Sequence, residues 1–185
     1  ATETLDTYNT IQNVHAIHES YDGYIYVGTL EGIKVLQESE SGYVLTIDQD
    51  PVLSNLKVRA FCIHERRPGE LWIGTEGSGL YRYDKTSGNI ETITEEDGLP
   101  SNIVYGILED SNSNLWLSTT SGLVKYNPGT KKLNIYTATD GISGKDFNYG
   151  AFYKAPDGTM YFGGQTGVTW FKPEEIAEDT RLPKI

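Results

Sequence analysis

The sequence repeats itself, and that repeat limits the fold more than any other feature. Four segments align: Tyr24-Ile25-Tyr26-Val27-Gly28-Thr29, Leu71-Trp72-Ile73-Gly74-Thr75, Leu115-Trp116-Leu117-Ser118-Thr119 and Met160-Tyr161-Phe162-Gly163-Gly164. Each is followed by a turn and a second apolar run opening on Gly32, Gly79, Gly122 or Gly167. The spacing is about 45 residues, the length of one blade in a propeller. In the third copy four short strands can be read, at 103–108, 115–119, 123–126 and 133–137, separated by Asn, Ser, Pro and Gly-rich turns. No stretch shows a sustained helical period, apart from a short turn at Pro173-Glu174-Glu175-Ile176.

One four-stranded sheet per repeat cannot bury both of its faces. Stacking twisted sheets face to face around an axis does bury them. The expected fold is therefore all-β: a partial β-propeller of about four four-stranded blades, forming a single domain over 1–185, with blades at about 11–50, 56–97, 101–140 and 146–176. The aromatics of the second strand, Tyr26, Trp72, Trp116 and Tyr161, are expected to fill the space between blades. The small residue two positions on (Gly28, Gly74, Ser118, Gly163) makes room for the adjacent sheet. Recurrence at one blade position favours packing over sugar stacking for these rings.

Charge narrows the functional classes. The net charge is −11, which argues against nucleic acid and against an anionic membrane surface, both of which need clustered Lys and Arg. No apolar run is long enough to span a bilayer as a helix, so direct membrane insertion is not expected. Ala1 to Asn9 are polar and acidic and do not read as a secretory leader, so any targeting signal is expected to have been removed already. Cys62, the sole cysteine, lies in an apolar run and reads as a buried filler.

The string Asp97-Gly98-Leu99-Pro100-Ser101-Asn102, then Val104, Ile107, Asp110, Leu115-Trp116 and Gly122-Leu123, resembles the two-component regulator propeller repeat. The last copy, with Asp140-Gly141-Ile142, Phe147-Asn148-Tyr149-Gly150 and Phe171-Lys172-Pro173, is similar to the closing blade of such propellers. The resemblance implies the periplasmic sensor of a Bacteroides-type hybrid two-component system, a carbohydrate breakdown product as signal, and a histidine kinase in the parent protein. Such propellers usually have more blades, so a C-terminal piece of one is expected. The first copy departs by carrying Tyr26 for Trp, and the second by carrying Pro51-Val52-Leu53-Ser54-Asn55 in place of the Asp-Gly-Leu lead-in.

Enzyme chemistry finds little support. His15, His18 and His64 form no zinc spacing, and Asp48 and Asp50 lack the other ligands of a calcium loop. No metal, cofactor or catalytic residue is assigned. The acidic runs Glu95-Glu96-Asp97 and Glu109-Asp110 read as solvated turns, and Arg66-Arg67 as a solvated hairpin tip. A ligand is expected at the end of the blades that holds the start of each inner strand, where His15, Arg59, Tyr105, Asn148 and Gln165 are the candidates. Tyr could stack on a sugar and Arg could hold a carboxylate or sulfate. Expected partners are an oligosaccharide and either a second copy or other blades of the parent propeller. A protein-binding scaffold and a propeller lyase or hydrolase remain as alternatives.

Overall fold

The computed structural model describes residues 11–40, 42–45 and 51–176. They form four antiparallel sheets arranged as a four-bladed β-propeller. Blade 1 is β1 (Val14–Glu19), β2 (Ile25–Thr29), β3 (Gly32–Ser39) and β4 (Gly42–Leu45). Blade 2 is β5 (Ala60–Arg67), β6 (Glu70–Thr75), β7 (Leu80–Asp84) and β8 (Asn89–Ile93). Blade 3 is β9 (Val104–Glu109), β10 (Leu115–Thr119), β11 (Gly122–Asn127) and β12 (Lys132–Tyr136). Blade 4 contributes β13 (Phe147–Lys154), β14 (Met160–Gly164) and β15 (Gly167–Phe171). Strands pair in chain order within every sheet. The first strand of each blade packs against the first strand of the next, from β1 to β5 to β9 to β13.

A helical turn absent from the sequence reading, α1 (Pro51–Asn55), joins blades 1 and 2. It occupies the place of the Asp-Gly-Leu lead-in and buries Leu53 completely against blade 1 and blade 2. The lead-ins of the later blades are single 3-10 turns, Glu95–Asp97 and Ala138–Asp140, each with its acid bonded back to the capping threonine and a left-handed glycine after it.

Each blade has a leading face toward the next blade and a trailing face toward the previous one. Tyr26 of blade 1 clusters with Leu71, Ile73 and Tyr83 of blade 2. Trp72 of blade 2 clusters with Leu115, Leu117 and Tyr126 of blade 3, and Trp116 of blade 3 with Phe147, Met160 and Phe162 of blade 4. Trp72 is 0% and Trp116 1% exposed. The small residues behave as expected: a Cβ on Gly74 would come within 2.8 Å of the Val104 carbonyl, and one on Gly28 within 2.9 Å of the Ala60 carbonyl. Tyr161 departs from the expectation. At the same blade position it is 37% exposed, because no described sheet lies beyond blade 4.

A buried indole N–H needs an acceptor. Trp116 Nε1 donates to Asp110 Oδ2 (3.0 Å), and Trp72 Nε1 donates to Glu70 Oε1 (3.2 Å). Asp110 is therefore not a solvated turn residue. It is buried and accepts from the amides of Asn112 and Asn114 and from the Asn114 side chain. Arg66 is likewise no free tip; it lies between Glu70 (3.7 Å) and Glu109 (3.4 Å). Cys62 is buried, and burial pushes its thiol up to about 12.

Polar contacts repeat between blades too. His18 of β1 stands 3.7 Å from Glu65 of β5, and His64 of β5 stands 3.0 Å from Glu109 of β9. Glu65 is buried and accepts from the amides of Tyr21 (2.9 Å) and Gly69 (2.7 Å), which ties blade 1 to blade 2. Burial holds His18 below its ordinary 6.5, with His64 acting in the same direction and Glu65 opposing.

Replacing Trp72 or Trp116 with Ala should cost about 3–5 kcal/mol in denaturant unfolding, because each leaves a cavity between two blades and removes one hydrogen bond to a buried carboxylate. The same change at half-exposed Tyr161 should cost about 1 kcal/mol or less. The His18 contribution has a definite sign. Its folded pKa lies below the unfolded value, so it stabilises above pH 6.5 and that stabilisation is lost as pH falls through the folded value. Urea midpoints should fall on acidification below 6.5, and His18→Gln should reduce that slope.

Candidate functional site

The first strand of a blade lies nearest the axis, and three of the four first strands break register at one point. In β1 the ladder skips between Val14 and Ala16, in β5 between Ala60 and Cys62, and in β9 between Val104 and Gly106 against β10. The residues skipped are His15, Phe61 and Tyr105. A bulged residue leaves the ladder and its side chain is re-aimed. Here all three rings turn to the axis and meet. In β13 the skip is longer, from Phe147 to Phe152, and Tyr149 lies within it.

The four rings form one cluster with one member from each blade. Ring centroids are 5.2 Å apart for His15 and Phe61, 5.4 Å for Phe61 and Tyr105, and 5.5 Å for His15 and Tyr149. Tyr149 also stacks on Phe61 at 5.6 Å, with an interplanar angle of 14°. Phe61 is buried beneath the others, whereas Tyr149 is 58% exposed and caps the cluster with an open ring face. His15 Nε2 is shielded from solvent and has no hydrogen-bond partner among the described residues.

The rim around the cluster is polar and acidic. Arg59 Nη1 donates to Glu76 Oε2 (2.9 Å), joining the start of the second inner strand to the turn after β6. Burial raises the Tyr105 phenol above its ordinary 10, and the carboxylates of Glu76 and Asp146 push it the same way. Carboxylates near a phenol that has no matching cation disfavour a further anion. They are, however, strong acceptors for hydroxyl donors.

Of the residues singled out from sequence, His15 and Tyr105 stand in the cluster. Arg59 does not; it is two residues short of Phe61, the bulged position of its strand, and its guanidinium is engaged by Glu76. Asn148 is exposed and adjoins Tyr149, the ring that completes the cluster. Gln165 is exposed on the turn after β14, with its amide bonded to the Asp146 carbonyl (3.2 Å). Phe61 and Tyr149 are not among the candidates read from sequence, because Phe61 lies in an apolar run that reads as core and a bulge that turns a ring to the axis leaves no mark in the sequence. Their spacing was the available signal: His15, Phe61, Tyr105 and Tyr149 recur at nearly the blade period. Asp48 and Asp50 lie outside the described residues, as does the acidic segment at 1–9. Among the described residues no three His, Cys, Asp or Glu side chains are placed to share a metal ion, and no helix is long and apolar enough to cross a membrane.

Known proteins give this architecture a context. Residues 98–121 match the two component regulator propeller family. A protein described as histidine kinase P4, from Formosa agariphila, is 38% identical over 111 residues, which is 60% of this chain and 8% of that protein. The extracellular domain of a hybrid two component system from B. thetaiotaomicron superposes with a TM-score of 0.71 at 25% identity, over 88% of this chain and 22% of that domain. Virginiamycin B lyase from Staphylococcus aureus superposes less well, with a TM-score of 0.55 at 17% identity over 86% of this chain and 55% of that enzyme, a likeness of fold alone. The chain thus spans less than a quarter of the kinase and of the sensor domain that it resembles. The repeat at 98–121 is the one whose Asp110 holds the Trp116 indole and whose bulge delivers Tyr105 to the axis. Residues 98–121 thus carry a two component regulator propeller repeat, and the chain is homologous to the extracellular domains of hybrid two-component systems.

Proposed function

We propose that this propeller is a non-enzymatic part of a periplasmic sensor in a hybrid two-component signalling protein. Its ligand is a neutral oligosaccharide released by carbohydrate breakdown. The observation that supports this reading is the axial cluster of His15, Phe61, Tyr105 and Tyr149, capped by one open aromatic face. An aromatic ring presents a broad apolar face, which suits the C–H face of a sugar ring. Sugar hydroxyls would donate to Glu76 and Asp146. The same carboxylates argue against the anionic sugar that Arg59 suggests from sequence, since that guanidinium is paired already.

The role as sensor rests on homology to extracellular sensor domains, and the choice of a carbohydrate rests on the chemistry of the mouth. A ligand held at the axis would touch residues from several blades. Binding would then favour one blade arrangement over others, which is the differential affinity that a conformational signal requires.

Calorimetry with a panel of neutral, uronate-containing and sulfated oligosaccharides tests the proposal. A neutral member should bind, and Tyr149→Ala should weaken it by about tenfold, the loss expected for one ring contact. The recovered oligosaccharide should be unchanged in mass. Preference for sulfated sugars, or binding indifferent to Tyr149, would overturn the assignment of the site, and cleavage products would turn the reading to an enzyme.

A further inference from the structure

The inner strand of blade 4 breaks differently from the other three. In β1, β5 and β9 one residue leaves the ladder and pairing resumes at the next. In β13 four residues, Asn148 to Ala151, stand opposite the single residue Gly163. Both ends of this stretch are fixed. Phe147 is buried beside Phe162, and Phe152 packs against both apolar clusters of blade 3. Between these anchors Asn148, Tyr149 and Gly150 are exposed. A short backbone segment with few buried contacts and two packed ends is a strap, free to move where its ends are not.

Gly150 supplies the pivot. Its φ of 70° lies in the left-handed region, and a Cβ built on it would meet nothing within 4 Å. Glycine passes between the left- and right-handed regions without the penalty that a side chain adds. What the strap carries is Tyr149. Its ring lies nearly parallel to Phe61 of blade 2 at 5.6 Å and edge-on to His15 of blade 1 at 5.5 Å. Beneath it Phe61 is 7% exposed. While Tyr149 stays in place, the floor of the mouth has almost no surface to offer a ligand.

We infer that residues 148–151 act as a lid, which lifts Tyr149 off Phe61 as Gly150 turns out of the left-handed region and so presents Phe61 to the ligand as a second ring face. The inference rests on the reading of the axial cluster as the oligosaccharide site. In the closed state a sugar meets one ring, carried by blade 4. In the lifted state it meets a ring of blade 2 as well. An oligosaccharide that uses both rings binds the lifted state more tightly and draws the lid toward it.

Nitrogen-15 saturation-transfer NMR on the ligand-free whole chain tests the lid without any sugar. Backbone amides do not register flips of symmetric rings, so exchange there reports movement of the strap. The amides of 148–151 should show a minor state of about 1–10%. The Phe61 amide should share its exchange rate, and the amides of 152–154 should show no minor state. Gly150→Ala should raise the minor population about fivefold or more, since alanine disfavours the left-handed region. Strap amides without a minor state, or a population that Gly150→Ala leaves unchanged, would overturn the inference. The expected exchange together with a failure of every oligosaccharide to bind in calorimetry would uphold the moving strap and overturn the choice of ligand alone.

Discussion

One contact underlies the whole structure: the aromatic ring of a second strand pressed into the apolar face of the next blade. Tyr26, Trp72 and Trp116 each make it, and each lies in a separate core cluster that spans two blades. A lone sheet of this composition would leave both faces wet. Its neighbour supplies the missing half of the core, so each blade is stable mainly through its neighbours. The cost of burying an indole N–H is offset by a carboxylate, and that carboxylate is then buried and must be held in turn. Asp110 is held by amides and an asparagine. Glu70 takes Arg66, Arg67 and Arg82 instead. Two solutions to the same requirement occur in consecutive blades.

The close approach that this contact demands explains the small residues beside it. Where a blade's inner strand passes over Gly28 or Gly74, a methyl group would strike the carbonyl of the next blade's inner strand, and at Gly74 the buried Cys62 sulfur as well. The turn at Gly122 is constrained in another way. Its φ of 126° and the Tyr136 carbonyl, 2.7 Å from where a Cβ would stand, both exclude a side chain. Spacing between blades is thus set by backbone contacts, which do not adjust as side chains do.

Most of the fold was legible because packing repeats and repeats are visible. The period located every second strand, and the paired Trp and Gly positions foretold which residues would be buried between blades. Three things were not legible. Tyr161 obeys the pattern in sequence but not in burial, since burial depends on a neighbour that the residue itself cannot specify. Asp110 and Arg66 read as surface residues because charge suggests solvent, and only the fold reveals the indole and the carboxylates that hold them. The site was half legible. Chain direction leads to His15 and Tyr105 of the axial cluster, while a search for polar groups at the start of each inner strand leads to Arg59 rather than to Phe61 two residues on. A strand with an unannounced extra residue defeats period-two reasoning from that residue onward.

The bulge also accounts for why a site can exist at the axis at all. A regular inner strand would point alternate residues at its two neighbouring blades and none at the centre. One residue per strand must leave the ladder to reach the axis, at the loss of a backbone pairing. The same break at His15, Phe61 and Tyr105 places their rings within reach of one another, and the longer break in β13 allows Tyr149 to lie over them. Because each ring belongs to a different blade, the distances between rings are set by the distances between blades. Those are fixed in turn by the Trp and Gly contacts further out. A change in blade spacing would therefore alter the axial cluster, and a ligand that fits one ring arrangement better than another would bias the spacing by the same free energy.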